Sequence, residues 1–201
     1  MRKILFSDRY GLTKAVLEGR KTMTRRIVPD GTPLGNWEET IKKSRYQIGE
    51  VVAVAQCYKD AGYDAMLLQT AFVKDPTIFP EIDPYEPVMG WCDLPMKCHK
   101  GWNNKMFIYP TMMPHQIRIT NIRVERLQDI SDEDCMREGI MEGEFMNTWD
   151  TFYYDEWGDV PNHITFKSPL NAFAALIDKV SGKGTWESNP YCFVYEFELI
   201  K

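Results

Sequence analysis

The amino-acid sequence predicts one α+β domain in which short strands surround a few helices. Its length of 201 residues suits a single domain with insertions. Apolar residues make up 44% and charged residues 26%, which is typical of globular proteins. Segments that alternate between apolar and polar side chains are separated by segments with helix-capping residues, so both kinds of element are expected.

The chain begins with a predicted strand at residues 3–6 and a predicted helix. Ser7 or Asp8 is expected to cap this helix, which runs to about Glu18 with its apolar side buried. Gly19 suits the left-handed backbone position that ends a helix.

Four further segments have the alternation or the β-branched content of strands. Turn signals such as Pro29 and Gly49 separate them from their neighbours. We therefore predict strands that share one sheet at residues 22–28, 51–57, 116–126 and 191–199.

Two more helices are predicted from their first residues. Ser131 with Asp134 forms a capping pair, so a short helix is expected over residues 132–138. Ser168 and Pro169 provide a hydroxyl cap and a first-turn proline for the second helix.

Residues 58–105 and 141–167 interrupt this pattern. The first stretch is rich in proline and aromatic residues and shows no sustained period. We expect both stretches to be insertions, the first ordered by its aromatic side chains rather than by regular structure.

Charge is unevenly distributed along the chain. The 24 Lys and Arg stand against 29 Asp and Glu, a net charge of −5, which argues against an extended grip on duplex DNA. Residues 1–30 carry 8 basic and 3 acidic residues, a balance of +5, whereas residues 121–160 carry 3 and 12, a balance of −9. A basic site beside an acidic flank fits a small or local anionic partner.

The cysteines and the apolar runs bear on cofactors and location. Five irregularly spaced cysteines, without a secretory signal before them, predict reduced thiols and a cytoplasmic protein. Cys92, Cys98 and His99 lack a second ligand pair at metal spacing, so we predict neither a metal nor another cofactor. No apolar stretch approaches the roughly 20 residues of a membrane span, and we expect no membrane partner.

Residues 19–26, Gly-Arg-Lys-Thr-Met-Thr-Arg-Arg, carry the candidate chemistry. Strand alternation places Thr24 and Arg26 on one face, and a hydroxyl there becomes a nucleophile if a base lies within hydrogen-bond reach. Lys21 is near enough in sequence to supply that base, and its arginine neighbours are expected to lower its pKa. Arg26 suits a phosphate or carbonyl oxygen, the alternative being a salt bridge to an acidic residue of 129–138.

Three ordered segments, at residues 19–26, 122–140 and 182–199, carry a family resemblance. Together they resemble the ASCH family, in particular its members from phages and prophages, although Thr24 stands where many members have Glu. The resemblance implies one PUA-like β-barrel domain over residues 1–201, with insertions at about 58–105 and 141–167. It also implies a cleft beside residues 19–26 and a role in RNA binding.

A subgroup of the family extends this resemblance to catalysis. Residues 19–26 match the Gly-Arg-Lys-Thr-x-Thr-x-Arg string of small ASCH proteins that hydrolyse N4-acetylcytidine. The resemblance implies a catalytic set of Lys21, Thr24 and Glu138, although the long insertions have no counterpart in those compact enzymes. Basic neighbours and aromatic or amide side chains near a glycine turn are further candidates for ligand binding, namely Arg20, Arg25, Arg26, Trp186 and Asn189.

The sequence leaves three functions open. The first is recognition of RNA or a modified nucleoside in a basic cleft, and the second adds amide hydrolysis on an N4-acylated cytidine. The third is a phage-encoded protein-interaction module without catalysis, which should expose an apolar patch on one of the insertions. Catalysis instead requires that Lys21, Thr24 and Glu138 converge on one pocket.

Overall fold

The computed structural model describes residues 1–74, 100–145, 148–155 and 164–200, with the backbone alone for 69–73, 144–145 and 148–150. The chain divides into two compact units. Unit 1 comprises Met1–Leu5 and Ala53–Pro114, and unit 2 comprises Phe6–Val52 and His115–Lys201.

Strands and helices alternate irregularly along the chain. The described strands are β1 (Arg2–Ile4), β2 (Met23–Ile27), β3 (Val51–Val54), β4 (Gln116–Arg126), β5 (Met141–Phe145), β6 (Thr148–Tyr153) and β7 (Tyr191–Leu199). The described α-helices are α1 (Leu12–Leu17), α2 (Trp37–Lys42), α3 (Ala65–Lys74), α4 (Asp132–Arg137), α5 (Pro169–Ser181) and α6 (Thr185–Ser188). None of them has both the length and the apolar character needed to cross a membrane.

Five strands form one sheet in the order β1-β3-β4-β7-β2, and β5 pairs with β6 in a separate hairpin. The central strand β7 pairs antiparallel with both β4 and β2. The prediction that the four segments starting at residues 22, 51, 116 and 191 share one sheet is confirmed. The fold is mixed α+β, and closure of the sheet into a barrel is not found in the described part of the chain.

Unit 1 has its own apolar core around Tyr58. This side chain is fully buried in a cluster that includes Leu68, Ile108 and Met113. Its hydroxyl accepts a hydrogen bond from the backbone nitrogen of Tyr109 at 2.9 Å. Tyr58, at the start of the first insertion, also packs edge-on against Tyr63. Most of the aromatic side chains of the insertion lie outside those that the structure describes.

Regular structure inside the two insertions was not predicted. Helix α3 occupies part of the first, where the Asp64 carboxylate accepts hydrogen bonds from the backbone nitrogens of Met66 and Leu67 at 2.8 and 2.9 Å. The β5–β6 hairpin occupies part of the second, and there Thr151 donates to the Gly143 carbonyl at 2.6 Å. The Asp64 bonds begin α3 locally, whereas the Thr151 bond joins the two paired strands of the hairpin.

Two of the predicted helix caps are confirmed, and one is wrong. Ser131 accepts from the backbone nitrogen of Asp134 at 3.1 Å to begin α4, and Ser168 begins α5 in the same way. Helix α1 is not capped at Ser7 or Asp8: residues 8–11 form a turn, and the helix begins after Gly11, which has a φ of 62°. In this turn the backbone carbonyls of Ser7 and Asp8 accept hydrogen bonds from the backbone nitrogens of Leu12 and Gly11, and the Asp8 carboxylate accepts one from the Thr13 hydroxyl. The helix is therefore shorter than predicted.

Gly139 ends α4 and thereby fixes the position of Glu138. Its φ is +107°, and an added Cβ would lie 3.3 Å from Leu12 Cδ2 and 3.7 Å from Lys21 Cδ. The absence of a side chain thus lets the end of α4 approach both α1 and Lys21.

Replacement of Gly139 by Ala should therefore destabilise unit 2 through both backbone strain and contact. Gly182 has a similar φ of +110° but no neighbour within 4 Å, which makes Gly182→Ala a matched control for the strain alone, at about 1–3 kcal/mol. We expect Gly139→Ala to lose roughly 1 kcal/mol more than the control in urea denaturation. Equal losses in the two variants would show that the contact with α1 and Lys21 is unimportant.

Candidate functional site

Lys21 and Glu138 form a buried ion pair in unit 2. Their exposed fractions are 2% and 4%. The Lys21 ammonium donates to the Glu138 side-chain Oε2 at 2.6 Å and to the Glu138 backbone carbonyl at 2.6 Å. Two of the three residues of the predicted catalytic set are thus in direct contact across 117 positions of sequence.

Local backbone hydrogen bonds explain why these two residues meet. After α1, Gly19 has a φ of 72°, and the backbone nitrogens of Arg20 and Lys21 both donate to the Ala15 carbonyl at 2.9 Å. Thr22 then donates to the carbonyl of the last residue of α4 at 3.0 Å. The chain reversal at Gly19 therefore delivers Lys21 to the end of the helix that positions Glu138.

Burial is the largest influence on the protonation of Lys21. Removal from water lowers its pKa from the ordinary value of 10.5, and the charges of Arg25 and Arg26 lower it further, while Glu138 opposes them. The arginine neighbours act in the predicted direction, but desolvation outweighs them. A lysine in this environment releases its proton more readily than an exposed one.

Arg25 lies in the interior rather than at a ligand-facing surface. Its side chain is 1% exposed and forms ion pairs with Glu125, with Asp134 at 3.0 Å and with Glu138 Oε1 at 3.3 Å. Burial alone would lower its pKa, but the three carboxylates raise it above the ordinary value. Glu138 therefore offers one carboxylate oxygen to Arg25 and the other to Lys21.

The ion pairs continue outward from Arg25 across the sheet. Arg123 on β4 contacts Asp134, Glu125 and Glu196, and Arg137 of α4 donates to Glu196 at 2.8 Å. The hydrogen bond from Arg137 is the main reason why the pKa of Glu196 is lowered. This network was not predicted from the sequence, although Arg123 and Glu125, which alternation places on the same face of one strand, were a usable signal.

Thr24 lies on the opposite face of β2 from Arg25. It is paired with Tyr195 across the β2–β7 register and is 5% exposed. Its hydroxyl makes no hydrogen bond within the described residues. Arg26, on the same strand face, lies 5.8 Å from the centroid of the Phe6 ring, which the Lys21 ammonium approaches to 5.9 Å.

Three other predicted ligand-binding residues make contacts within the protein. Arg20 forms a surface ion pair with Glu18 at 2.6 Å. Trp186 packs edge-on against Phe173, and Asn189 accepts a hydrogen bond from the backbone of Gln128 at 2.9 Å. The contacts of Trp186 and Asn189 hold α6 and the start of β7 in place. Asn189 has a φ of 42°, a left-handed backbone conformation that Asn adopts more readily than most residues.

A shallow cavity of about 330 Å³ lies beside Trp186, on the surface of α5 and α6. Asp178 and Lys183 contribute to its wall. The Asp178 carboxylate accepts hydrogen bonds from the backbone nitrogens of Gly184 and Trp186 at 3.1 and 2.8 Å. Its acidic group is therefore used to build the α5–α6 connection.

Metal and thiol chemistry find no support at the site. Within the described residues, no group of three or more His, Cys, Asp or Glu could hold a metal ion; Cys92, Cys98 and His99 lie outside those residues. Cys135 and Cys192 are buried and free, and burial raises the pKa of each thiol to about 12. Both therefore stay protonated near neutral pH.

Comparison of the chain with protein-family models, curated proteins and solved structures gave no match. Its chemistry must therefore be argued from the side chains themselves. A buried lysine with a lowered pKa, paired with a carboxylate and close in sequence to a buried hydroxyl, is suited to moving a proton in a water-poor environment.

The lowered pKa of Lys21 predicts a specific dependence of stability on pH. Between the pKa in the folded protein and 10.5, the unfolded chain holds a proton at Lys21 that the folded chain lacks. The free energy of unfolding should therefore rise with pH in this window, by at most about 1.4 kcal/mol per pH unit. Urea denaturation at a series of alkaline pH values should show the wild type gaining stability relative to Lys21→Met.

The buried thiols contribute equally to the free energy of unfolding of the wild type and of Lys21→Met, so their contribution cancels in the difference between the two proteins. Lys14→Met, at an exposed lysine, is the matched control and should run parallel to the wild type. A Lys21→Met curve that also runs parallel would contradict the lowered pKa.

Proposed function

We propose that this protein recognises RNA or a modified nucleoside at the Lys21–Glu138 pair and hydrolyses the amide of an N4-acylated cytidine there. In this proposal the chain is an ASCH-type domain, and its five-stranded sheet belongs to a PUA-like barrel architecture. The string at residues 19–26 suggests the family, and the buried pair supports the chemistry.

The burial of Lys21 is the observation that carries the proposal. A buried ion pair seldom stabilises a protein more than apolar side chains of the same size would. A lysine with a lowered pKa, held by a carboxylate and close in sequence to a buried hydroxyl, is better explained by proton transfer than by stability.

The reaction begins with transfer of the Thr24 hydroxyl proton to neutral Lys21. The Thr24 oxygen attacks the amide carbonyl of the substrate, and the ammonium of Lys21 returns the proton to the departing exocyclic nitrogen as the C–N bond breaks. Lys21 next takes a proton from water, and the water oxygen attacks the acyl ester on Thr24. As the bond between the acyl carbon and the Thr24 oxygen breaks, Lys21 returns that proton to the Thr24 oxygen, which releases the carboxylic acid and restores both groups. Glu138 orients Lys21 throughout, through its 2.6 Å contact.

Arg26 and the aromatic side chains of the Thr24 face supply recognition. Arg26 is an obligatory cation with a planar set of donors, which suits a phosphate or a carbonyl oxygen. Phe6 and Tyr195 are buried beside this strand, so a base that enters the site meets aromatic surface. Lys21 and Arg25 are already neutralised by carboxylates, which leaves few positive charges for a long polyanion.

The hydrolase proposal is tested with a panel of N4-acylated cytidines, other acylated nucleosides and short acylated RNAs, with products followed by mass. Thr24→Ala, Lys21→Met and Glu138→Gln should each lose turnover by orders of magnitude. Because the groups act as a unit, Lys21→Met/Thr24→Ala should lose little more than either single variant. Thr32→Ala, at a half-buried threonine hydrogen-bonded to the Pro29 carbonyl, is the matched control and should keep full turnover.

Retention of full turnover in Thr24→Ala would reject Thr24 as the nucleophile. Failure of the folded wild type to process any substrate on the panel would reject amide hydrolysis and leave recognition as the function.

Binding of short single-stranded RNA tests recognition separately from catalysis. Affinity should fall as salt rises, with a shallow slope of about −1 to −2 in log–log form, because few phosphates are contacted. Arg26→Ala should weaken binding about tenfold or more, as expected for loss of a charge-assisted hydrogen bond. Arg118→Ala, at an exposed arginine paired with Glu198 at 3.0 Å, should bind like the wild type.

No binding at low salt, or equal binding by Arg26→Ala and the wild type, would reject RNA as the ligand.

One observation favours the second candidate, a protein-interaction module. Met66 and Leu67 on α3 are 67% and 71% exposed, and Met106 and Phe107 are also exposed in unit 1. Of these four, Met66 and Leu67 lie within the first insertion, where that candidate predicts exposed apolar side chains.

A further inference from the structure

The Arg25 guanidinium is held in place by several carboxylates of the protein itself. Three carboxylates from β4 and the end of α4 converge on its guanidinium: Glu125, Asp134 and Glu138. Its Nε is buried without a hydrogen-bond partner in the described part of the chain. A buried donor without a partner costs free energy. The orientation of the guanidinium is therefore set by its contacts with the three carboxylates and not by a hydrogen bond from Nε.

The shared partner of Arg25 and Lys21 is the Glu138 carboxylate. Arg25 Nη1 donates to Oε1 at 3.3 Å, while Lys21 Nζ donates to Oε2 at 2.6 Å and to the Glu138 carbonyl at 2.6 Å. The two cations thus hold one carboxylate from both of its oxygens, which fixes its plane.

We propose that Arg25 is a positioning residue that orients Glu138 for Lys21 and, by its positive charge, weakens the hold of Glu138 on the Lys21 proton. This inference rests on the proposed function for its catalytic meaning, because a lysine that must act as a base needs to release its proton. It assigns to Arg25 a role through Glu138 rather than a contact with the ligand.

The sign of the effect follows from charge alone. Without Arg25, Glu138 keeps its full attraction for the ammonium. The nearby carboxylates of Glu125 and Asp134 each lose one of their counter-charges, while Arg123 still contacts both. The proton shared by the Lys21–Glu138 pair would then be held to higher pH, whichever partner carries it.

The charged and titratable groups around this pair come from every element packed against it. The charged side chains are Arg25 and Arg26 on β2, Arg123 and Glu125 on β4, Asp134 on α4 and Glu138 at its end. The thiols are those of Cys135 on α4 and Cys192 on β7. The two thiols stay protonated while Lys21 titrates, because burial raises the pKa of each to about 12.

The test is a direct titration of Lys21 in the full chain by NMR, with lysine labelled with ¹³C at Cε and the Lys21 signal assigned by its loss in Lys21→Arg. Arg25→Gln should raise the pH midpoint of the Lys21 titration by about 1, as expected for loss of a positive charge near an ionisable group. Arg25→Lys keeps a positive charge at this position and should stay close to the wild type.

Glu125→Gln provides a variant with the opposite expected sign. It removes one carboxylate that neutralises Arg25 and leaves the guanidinium in place, so the Lys21 midpoint should move downward. The Glu125 side chain is 20% exposed, and this variant serves if Arg25→Gln does not fold, as judged by circular dichroism.

A Lys21 midpoint that is unchanged or lowered in folded Arg25→Gln overturns the proposal, as does an equal rise in Arg25→Lys. If Arg25→Gln is unfolded, an unchanged or raised midpoint in Glu125→Gln overturns it. The titration needs no substrate, so its result does not depend on whether the hydrolase assay succeeds or fails. Where turnover is found, the acidic limb of the pH–rate profile should move with the Lys21 midpoint in each variant.

Discussion

The burial of the Lys21 ammonium is the constraint to which the surrounding residues are fitted. Removal of a charge from water is tolerated only where oppositely charged and hydrogen-bonding groups replace the solvent. Glu138 supplies both a carboxylate oxygen and a backbone carbonyl. The left-handed turn at Gly19 and the side-chain-free position at Gly139 bring the two segments close enough for this exchange.

The uneven charge of the chain is largely resolved by pairing within unit 2. The acidic stretch after β4 provides Asp134 and Glu138, and these carboxylates contact the basic side chains of residues 21–25. The site is therefore close to neutral at its centre, in contrast to the basic cleft that the linear charge balance suggested. Under the proposed function, selectivity for a ligand depends on where Arg26 and the aromatic rings lie more than on bulk electrostatic attraction.

The sheet could be predicted from the sequence because alternation is a local signal, and the caps at Ser131 and Ser168 could be predicted because they span only a few residues. The pairing of Lys21 with Glu138 came from a family resemblance that joined distant segments. The burial of Arg25 could not be predicted: its partners lie 100 to 113 residues away, and alternation assigns a face without saying what covers it. The short helices α2 and α3 rest on single Asn and Asp caps, which lack a supporting apolar period.

Strand β2 lies at one end of the described sheet order, with β7 as its strand neighbour. An outer strand is prone to pair with strands of other molecules, and a charge that points inward is one way in which proteins prevent this. Arg25 is such a charge, in the middle of a strand whose other inward residue, Met23, is fully buried. Under the proposed function, Arg25 also positions Glu138 for Lys21. One side chain then serves two purposes, since it discourages pairing of the outer strand with other molecules and orients the buried ion pair.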